Sequence, residues 1–265
     1  MSASRRVAAL TLAAVAAAAG PAAAQARPFV FSVITGLPGA GGEARSWTAF
    51  YGAGYAERTA EPFGFDGVEQ RVGVQGRLGR RLTLVGAFGV GASGEATRSS
   101  QEAEMLVDVL GPASRLRVAV GAGGRREWTG TSVALGRACV SWTAGGTLVS
   151  TNLRLEKPLA ADRDAIDVIT TAGWLQSVGR GLRVGVEAVG EDLEGFWEAE
   201  EAEGGAKLYA GPAVHWAAAD GRVWASASGG PIVYATRSER ASAAPRPLEA
   251  AGNGVTVRAS VGFSF

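Results

Sequence analysis

The chain has 265 residues and almost no net charge, with 26 lysine and arginine residues against 25 aspartate and glutamate residues. It shows no basic stripe and no acidic tail, which argues against nucleic-acid binding and against a solvating tail. Only one cysteine, Cys139, and one histidine, His215, are present, which excludes a disulfide framework and a cysteine-rich metal site.

The first 26 residues have the features of a secretory signal peptide. Arg5 and Arg6 precede an apolar run, Val7 to Ala19, and small residues follow up to Ala26. The run is too short and too rich in alanine to favour a membrane helix. The sequence therefore predicts a signal peptide over 1–26, an N-terminal extension over 27–44, and an exported mature protein that begins near Arg27.

The remainder of the chain alternates apolar and polar residues in segments of strand length, as half-buried strands do. About twelve such segments follow one another: Arg45–Thr59, Gly67–Gly79, Leu82–Ala92, Ala103–Leu110, Leu116–Gly124, Thr131–Thr143, Thr147–Glu156, Ala165–Val178, Leu182–Gly190, Lys207–Ala217, Arg222–Thr236 and Val255–Phe265. Gly229-Gly230-Pro231 predicts a bulge or bend in the eleventh segment.

Long and short connections alternate along the chain. Polar stretches such as Ser93–Glu102, Glu191–Ala206 and Arg237–Gly254 are long, whereas Arg80-Arg81 and Ala144–Gly146 are short. Short turns would then gather at one end of the strands and long loops at the other, as in outer-membrane β-barrels. The predicted fold is all-β: one transmembrane antiparallel up-and-down barrel over 45–265, with about twelve strands and ten as the main alternative.

Aromatic residues cluster near the ends of the predicted strands. Two belts are expected where amphipathic rings settle at membrane–water boundaries. We expect one belt at the short turns, with Trp47, Trp142, Trp216, Trp224, Phe263 and Phe265. We expect the other toward the long loops, with Tyr51, Tyr55, Trp128, Tyr209 and Tyr234.

The last eleven residues, VTVRASVGFSF, alternate without a break and end on a large aromatic residue. This ending resembles the C-terminal signature of bacterial outer-membrane β-barrel proteins. The resemblance implies a Gram-negative outer-membrane location, contact with outer-membrane lipids and lipopolysaccharide, and a last strand read by the barrel-assembly machinery. On this basis the residues of the assembly signal are Val261, Phe263 and Phe265.

Charged residues of both signs occupy the polar faces of the predicted strands, which an outer-membrane barrel turns toward its lumen. The predicted lumen-lining residues are Glu69, Arg71, Arg77, Asp108, Arg117, Arg154, Asp167, Arg183, Glu187 and Arg258. Balanced charges on neighbouring strands pair and reduce the open width, and twelve strands enclose less space than the sixteen to eighteen of general porins. A porin-like, narrow or partly occluded passage is expected.

Two motifs suggest other chemistry. Gly89-x-Gly91-x-x-Gly94 matches a dinucleotide-binding pattern, but the chain lacks the helix–strand repeats that such a site needs, so a glycine-rich strand end is the simpler interpretation. His215 invites comparison with membrane barrels that hydrolyse lipids, yet no serine stands two residues after it. The sequence does not reveal a serine paired with it.

The sequence thus predicts a narrow passive channel for small solutes and not an enzyme, with no catalytic residue, metal or cofactor. The alternatives are a structural or surface-binding barrel, based on the long loops, and a lipid hydrolase using His215. No nucleic-acid partner is expected, and the solute and the oligomeric state stay open.

Overall fold

Twelve antiparallel strands dominate the structure. The computed structural model describes residues 47–57, 67–78, 81–93, 96–110, 116–128, 130–159, 166–197, 205–236 and 253–265, so the predicted signal peptide and extension lie outside the described residues. The strands are β1 (Trp47–Glu57), β2 (Gly67–Leu78), β3 (Leu82–Ser93), β4 (Ala96–Asp108), β5 (Leu116–Arg126), β6 (Ser132–Ala144), β7 (Thr147–Pro158), β8 (Asp167–Gly179), β9 (Leu182–Glu191), β10 (Lys207–Ala217), β11 (Val223–Tyr234) and β12 (Gly254–Ser264). A short 3-10 helix, Leu193–Phe196, follows β9. No helix in the described part of the chain is long and apolar enough to cross a membrane.

The strands close into a single barrel. Each strand pairs with its neighbour in sequence, and β1 pairs with β12. At this junction the backbone N–H of Phe265 donates to Trp47 O at 2.8 Å and that of Trp47 donates to Phe265 O at 3.0 Å. Closure removes the free strand edges that would be costly in lipid. The prediction of a closed antiparallel barrel with twelve strands is confirmed.

The two faces of the barrel wall have opposite character. Outward positions carry large apolar side chains that remain exposed, such as Val72 at 51%, Val186 at 55% and Val261 at 52%. Inward positions carry charged residues that are buried, such as Arg154 at 4% and Asp167 at 0%. This inverts the arrangement of a water-soluble protein and matches that of a barrel surrounded by lipid.

Connections at the two ends of the barrel differ, although less regularly than expected. At one end, here called the turn end, residues 79–81, 109–115, 145–146, 180–181 and 218–222 join the strands. At the other, the loop end, residues 58–66, 94–95, 127–131, 159–166, 192–206 and 235–253 join them. The predicted loop Ser93–Glu102 is wrong: β4 begins at Ala96 and pairs with β3 from Ser93 onward. The first residues of β4 are polar on both faces, so the sequence shows no alternation of apolar and polar residues there.

The predicted aromatic belts are only partly present. Trp142, Trp216 and Phe263 point outward near the turn end, each with an exposed fraction of 42–43%. Trp224 and Tyr209 instead face inward and are 2% exposed, so their assignment to the belts is wrong. Trp224 lies against Gly262, where an added Cβ would come within 2.1 Å of its ring. Because Gly262 on β12 has no side chain, the ring of Trp224 fits inside the barrel at this point.

The predicted bulge or bend at Gly229-Gly230-Pro231 adds no residue to the strand, since the register of β10 and β11 is the same at Tyr209↔Ile232 and at Ala213↔Ser228. The aligned pairs of these two strands are nevertheless interrupted at the three residues between. A register shift does occur between β8 and β9, at Ser177 and Gly179.

Candidate functional site in the barrel interior

One side of the interior, along β4 to β7, is filled by a network of ion pairs. Arg137 Nε donates to Glu104 Oε2 at 2.7 Å, and its Nη2 also contacts the second oxygen of that carboxylate. Arg154 Nη2 donates to Glu102 Oε2 at 2.7 Å, while the other Glu102 oxygen lies 4.0 Å from Arg137 Nη2. Glu102 thus connects two arginines on neighbouring strands, a pairing that buried charges require.

The network continues toward the loop end. Arg154 Nε lies 2.9 Å from Glu156 Oε1, and Arg125 contacts the other Glu156 oxygen. Arg125 Nη2 also donates to Glu127 Oε1 at 2.9 Å. Because each guanidinium is held against the wall by carboxylates, this side of the barrel presents fixed charges of both signs.

A second group stands near the turn end. Asp108 accepts hydrogen bonds from Arg77 at 3.1 Å and from Arg117 at 2.9 Å. All three residues are buried inside the barrel. This group joins β2, β4 and β5.

The third group is a single ion pair that reaches across β1, the strand that pairs with β12 to close the barrel. Arg258 of β12 contacts Glu69 of β2, although β1 lies between the two strands. Gly54 of β1 is aligned with both residues, and a Cβ there would lie 2.9 Å from the Arg258 Cγ. Glycine at this position lets the ion pair pass over β1.

At the loop end, charged residues gather where β9 ends and β10 begins. Lys207 Nζ lies 3.3 Å from Glu191 Oε2 and 3.2 Å from Asp192 Oδ2. Glu194, in the 3-10 helix, accepts a hydrogen bond from the Val168 N–H at 3.0 Å. Burial, with smaller contributions from Asp192 and Asp167, raises the pKa of Glu194 to about 7. The helix is thereby fastened to the start of β8.

Small residues line the opposite side of the interior. They face inward from β9 to β12 and β1, and they are Gly52, Gly185, Ala213, Ser226 and Ser260. Each of them is half-buried, as are small inward residues on other strands such as Gly73 and Gly123, whereas the ion-paired arginines are buried. Ala213 packs against the buried Leu148 and Leu175.

His215 lies on this side, near the turn end. It is 3% exposed, and its Nδ1 lies 3.1 Å from Ser226 Oγ of the neighbouring strand. The sequence analysis missed this serine because the two residues are eleven positions apart and meet only through the β10–β11 register. The residue opposite His215 on β9 is Arg183, which does not supply the carboxylate that orients a catalytic histidine.

The ten residues predicted to line the lumen all occupy inward positions. Eight are buried, while Arg71 and Arg183 are half-buried. Five of them pair within the predicted set, as Asp108 does with Arg77 and Arg117 and Glu69 does with Arg258, and Arg154 pairs with Glu102 and Glu156. The network along β4–β7 adds five residues that the ten do not include, namely Glu102, Glu104, Arg125, Arg137 and Glu156. Alternation within the sixth segment does place Arg137 on the face of Ser141 and Thr143, so a signal for this residue was present.

The other motifs have simple structural roles. Gly89 and Gly91 lie within β3, which is followed by β4 and not by a helix, so no dinucleotide-binding unit forms there. Cys139 is buried and its Sγ lies 3.0 Å from Asn152 Oδ1. In the part of the chain that the structure describes, no group of three or more histidine, cysteine or acidic residues is arranged to hold a metal ion.

Comparison with known proteins gives a fold but no family. No protein-family model matches the sequence, and no curated protein matches it. The solved structure of the NanC porin is similar, with a TM-score of 0.55 and 9% identity over 81% of this chain and 98% of that one. The KdgM porin, solved in complex with oligogalacturonate, gives a TM-score of 0.55 and 9% identity over 82% of this chain and 99% of that one. The chain thus has the fold of bacterial outer-membrane porins.

Proposed function

We propose that the protein is an outer-membrane barrel that acts as a narrow passive channel for small hydrophilic solutes. The observation that carries this proposal is a closed barrel whose outer surface is apolar and whose inward face combines charged side chains with small, half-buried residues. A polar interior is typical of outer-membrane barrels that conduct water-soluble molecules.

In this proposal the turn end faces the periplasm and the loop end faces the outside of the cell. Outer-membrane barrels combine short periplasmic turns with longer extracellular loops, and both ends of the strand series, Trp47 and Phe265, lie at the turn end. The apolar exterior contacts outer-membrane lipids and lipopolysaccharide, and the last strand is the segment that the barrel-assembly machinery reads.

The passage would be narrow and weakly selective. The ion pairs of β4–β7 occupy part of the cross-section, and an apolar cluster of Ile169, Val189, Tyr209 and Ile232 fills the interior beside β8–β11. Because the arginines are largely neutralised by carboxylates, the lumen lacks the single-sign ring of a strongly selective pore. Small solutes would pass beside the small inward residues that lie outside this cluster, namely Gly52, Ser226 and Ser260.

The similarity to the NanC and KdgM porins supports this proposal through the fold alone, since the identity to each is 9%. An enzymatic role for His215 receives less support. A hydrolytic histidine needs an acidic partner as well as its serine, and the charged residue directly opposite His215 is an arginine.

Conductance in planar lipid bilayers tests the proposal. The purified protein should produce discrete, ohmic current steps smaller than those of sixteen-stranded porins. Heat-modifiable migration on a gel would establish that the sample holds a folded barrel. A folded sample that inserts without current above background would contradict the channel and leave a structural or surface-binding barrel.

A further inference from the structure

Arg183 differs from most inward-facing arginines in its surroundings, although Arg98, inward and half-buried near the loop end of β4, likewise shows no paired carboxylate in the described part of the chain. Carboxylates hold Arg77, Arg117, Arg125, Arg137, Arg154 and Arg258, and Arg71 interacts with the charge of Glu102. Within the described residues, no carboxylate pairs with Arg183, which is half-buried on the same face of β9 as Glu187. A guanidinium that faces a lumen without a counter-charge is available to an anion that enters it.

A second polar group beside Arg183 also lacks a partner. His215 stands directly opposite Arg183 in the β9–β10 register, and its buried Nε2 has no hydrogen-bond partner in the structure. When the Ser226 hydroxyl donates to Nδ1, the imidazole carries its proton on Nε2. Buried N–H groups normally have an acceptor, and an oxygen bound beside Arg183 would supply it.

Arg183 is most accessible from the turn end. Ser177, aligned with Arg183 on β8, is exposed, and Ala217, one step toward the turn end on β10, is half-buried. The loop-end side is filled, because the β8 backbone at Trp174 lies against Gly185 and Ala213 packs against a buried leucine pair. A small group could therefore approach the guanidinium from the turn end.

The turn end of the barrel also attracts negative charge. Among the residues of its turns that the structure describes, Arg81, Arg180 and Arg222 are exposed, and Asp220 is the one exposed acid. A rim with an excess of positive charge raises the local concentration of anions. The rim and the unpaired Arg183 thus favour the same class of ligand.

We infer that Arg183, His215 and Ser226 form a binding site for an oxyanion near the turn end of the lumen. Arg183 would present two parallel N–H groups to a carboxylate or phosphate group, and His215, fixed by Ser226, would donate one further hydrogen bond. The solutes of the channel would then be small molecules that carry one carboxylate or phosphate group. Its part in transport rests on the proposed function, whereas binding itself can be measured without conduction.

The single histidine of the chain provides a direct probe. The full-length chain, purified from membranes in detergent, is labelled with ¹⁵N-histidine, and the imidazole resonances are followed while sodium phosphate or sodium acetate is added at constant pH and ionic strength. We expect a saturable shift with at least one of the two anions. Comparison of the two shows whether the site prefers phosphate or carboxylate, and sodium chloride should give no saturable shift.

Two arginine variants separate site binding from general charge effects. Arg183→Gln should weaken the saturable response at least tenfold, and Arg222→Gln, the same change at an exposed turn arginine, should leave it within twofold. Equal affinity in Arg183→Gln and the unmodified protein, or a shift that never saturates, would overturn the site. A protein that conducts but shows no saturable shift would refute the site alone, and one that binds but does not conduct would refute the channel alone.

Discussion

Arg137 of β6 and Arg154 of β7 stand directly opposite each other inside the barrel. Like charges at opposed positions of a sheet repel, and both side chains are 4% exposed. Their juxtaposition is possible because Glu104 holds Arg137 and Glu156 lies beside Arg154, while Glu102 approaches both guanidinium groups. The pairing of β6 with β7 at this point therefore depends on the carboxylates of the network.

Removal of the charge on Glu102 should destabilise the barrel. In Glu102→Gln the two opposed arginines lose the carboxylate between them, and breaking such a buried arrangement costs about 3–5 kcal/mol. The free energy of unfolding in urea, measured on the protein folded in lipid vesicles, would record this loss. Glu57→Gln is the matched control, because Glu57 is exposed at the end of β1. Equal midpoints for the two variants would show that the network contributes nothing specific.

Bulk on the small-residue side of the lumen should reduce conductance. Ser260 faces inward and is half-buried, while the adjacent Ala259 faces outward and is exposed. Tryptophan at position 260 would fill the lumen beside Gly52 and Ser226, whereas tryptophan at position 259 would enter lipid. We expect Ser260→Trp to lower single-channel conductance severalfold and Ala259→Trp to leave it near that of the unmodified protein. An unchanged conductance in Ser260→Trp would place the passage elsewhere in the lumen.

The barrel could be predicted from sequence because alternation has the same period in every strand. Alternation alone assigns each residue to one of two faces, and it placed all ten predicted lumenal residues on the inward face. It does not assign partners, since Arg258 reaches Glu69 only through the closure of β1 on β12 and the absence of a side chain at Gly54. The same limit hid the contact of His215 with Ser226.

Strand limits were less predictable where both faces are polar. The stretch from Thr97 to Glu102 contains no large apolar residue, so nothing in its alternation distinguishes a strand from a loop. In the structure its outward side lies close to the loop end, where polar residues are compatible with a strand that leaves the apolar zone. Trp224 shares a face with Ser226 and Ser228, so alternation alone predicts an inward position for it, whereas its aromatic character alone predicts a belt position.

Stability at the loop end should depend on pH through Glu194. Its pKa of about 7 lies above the ordinary value of 4.5, mainly because the side chain is buried. Between these two values the folded protein binds more protons than the unfolded chain, so stability falls as the pH rises through this window. Hydrogen exchange of the Val168 amide, which donates to Glu194, should show decreasing protection after correction for the intrinsic rate.

Glu194→Gln isolates this effect, because glutamine keeps an oxygen that accepts the Val168 hydrogen bond but carries no charge. In this variant the protection of Val168 should no longer vary between pH 4.5 and 7. Asp220→Asn, an exposed carboxylate at the opposite end of the barrel, should retain the dependence of the unmodified protein. A slope that persists in Glu194→Gln would assign the titration to another group.

The terminal phenylalanine should affect assembly in cells more than stability. Phe265 stacks on Phe263 with ring centroids 6.1 Å apart, but its hydrogen bonds to Trp47 use backbone atoms that any residue provides. Phe265→Ser should therefore refold in detergent nearly as well as the unmodified protein, while its amount in outer membranes should fall severalfold. Val257→Ser, at an outward position of the same strand with 57% exposure, controls for the loss of one lipid-facing side chain. If Phe265→Ser and the unmodified protein reach equal amounts in outer membranes, Phe265 is not part of an assembly signal. If Phe265→Ser fails to refold in detergent, the ring of Phe265 contributes to stability instead.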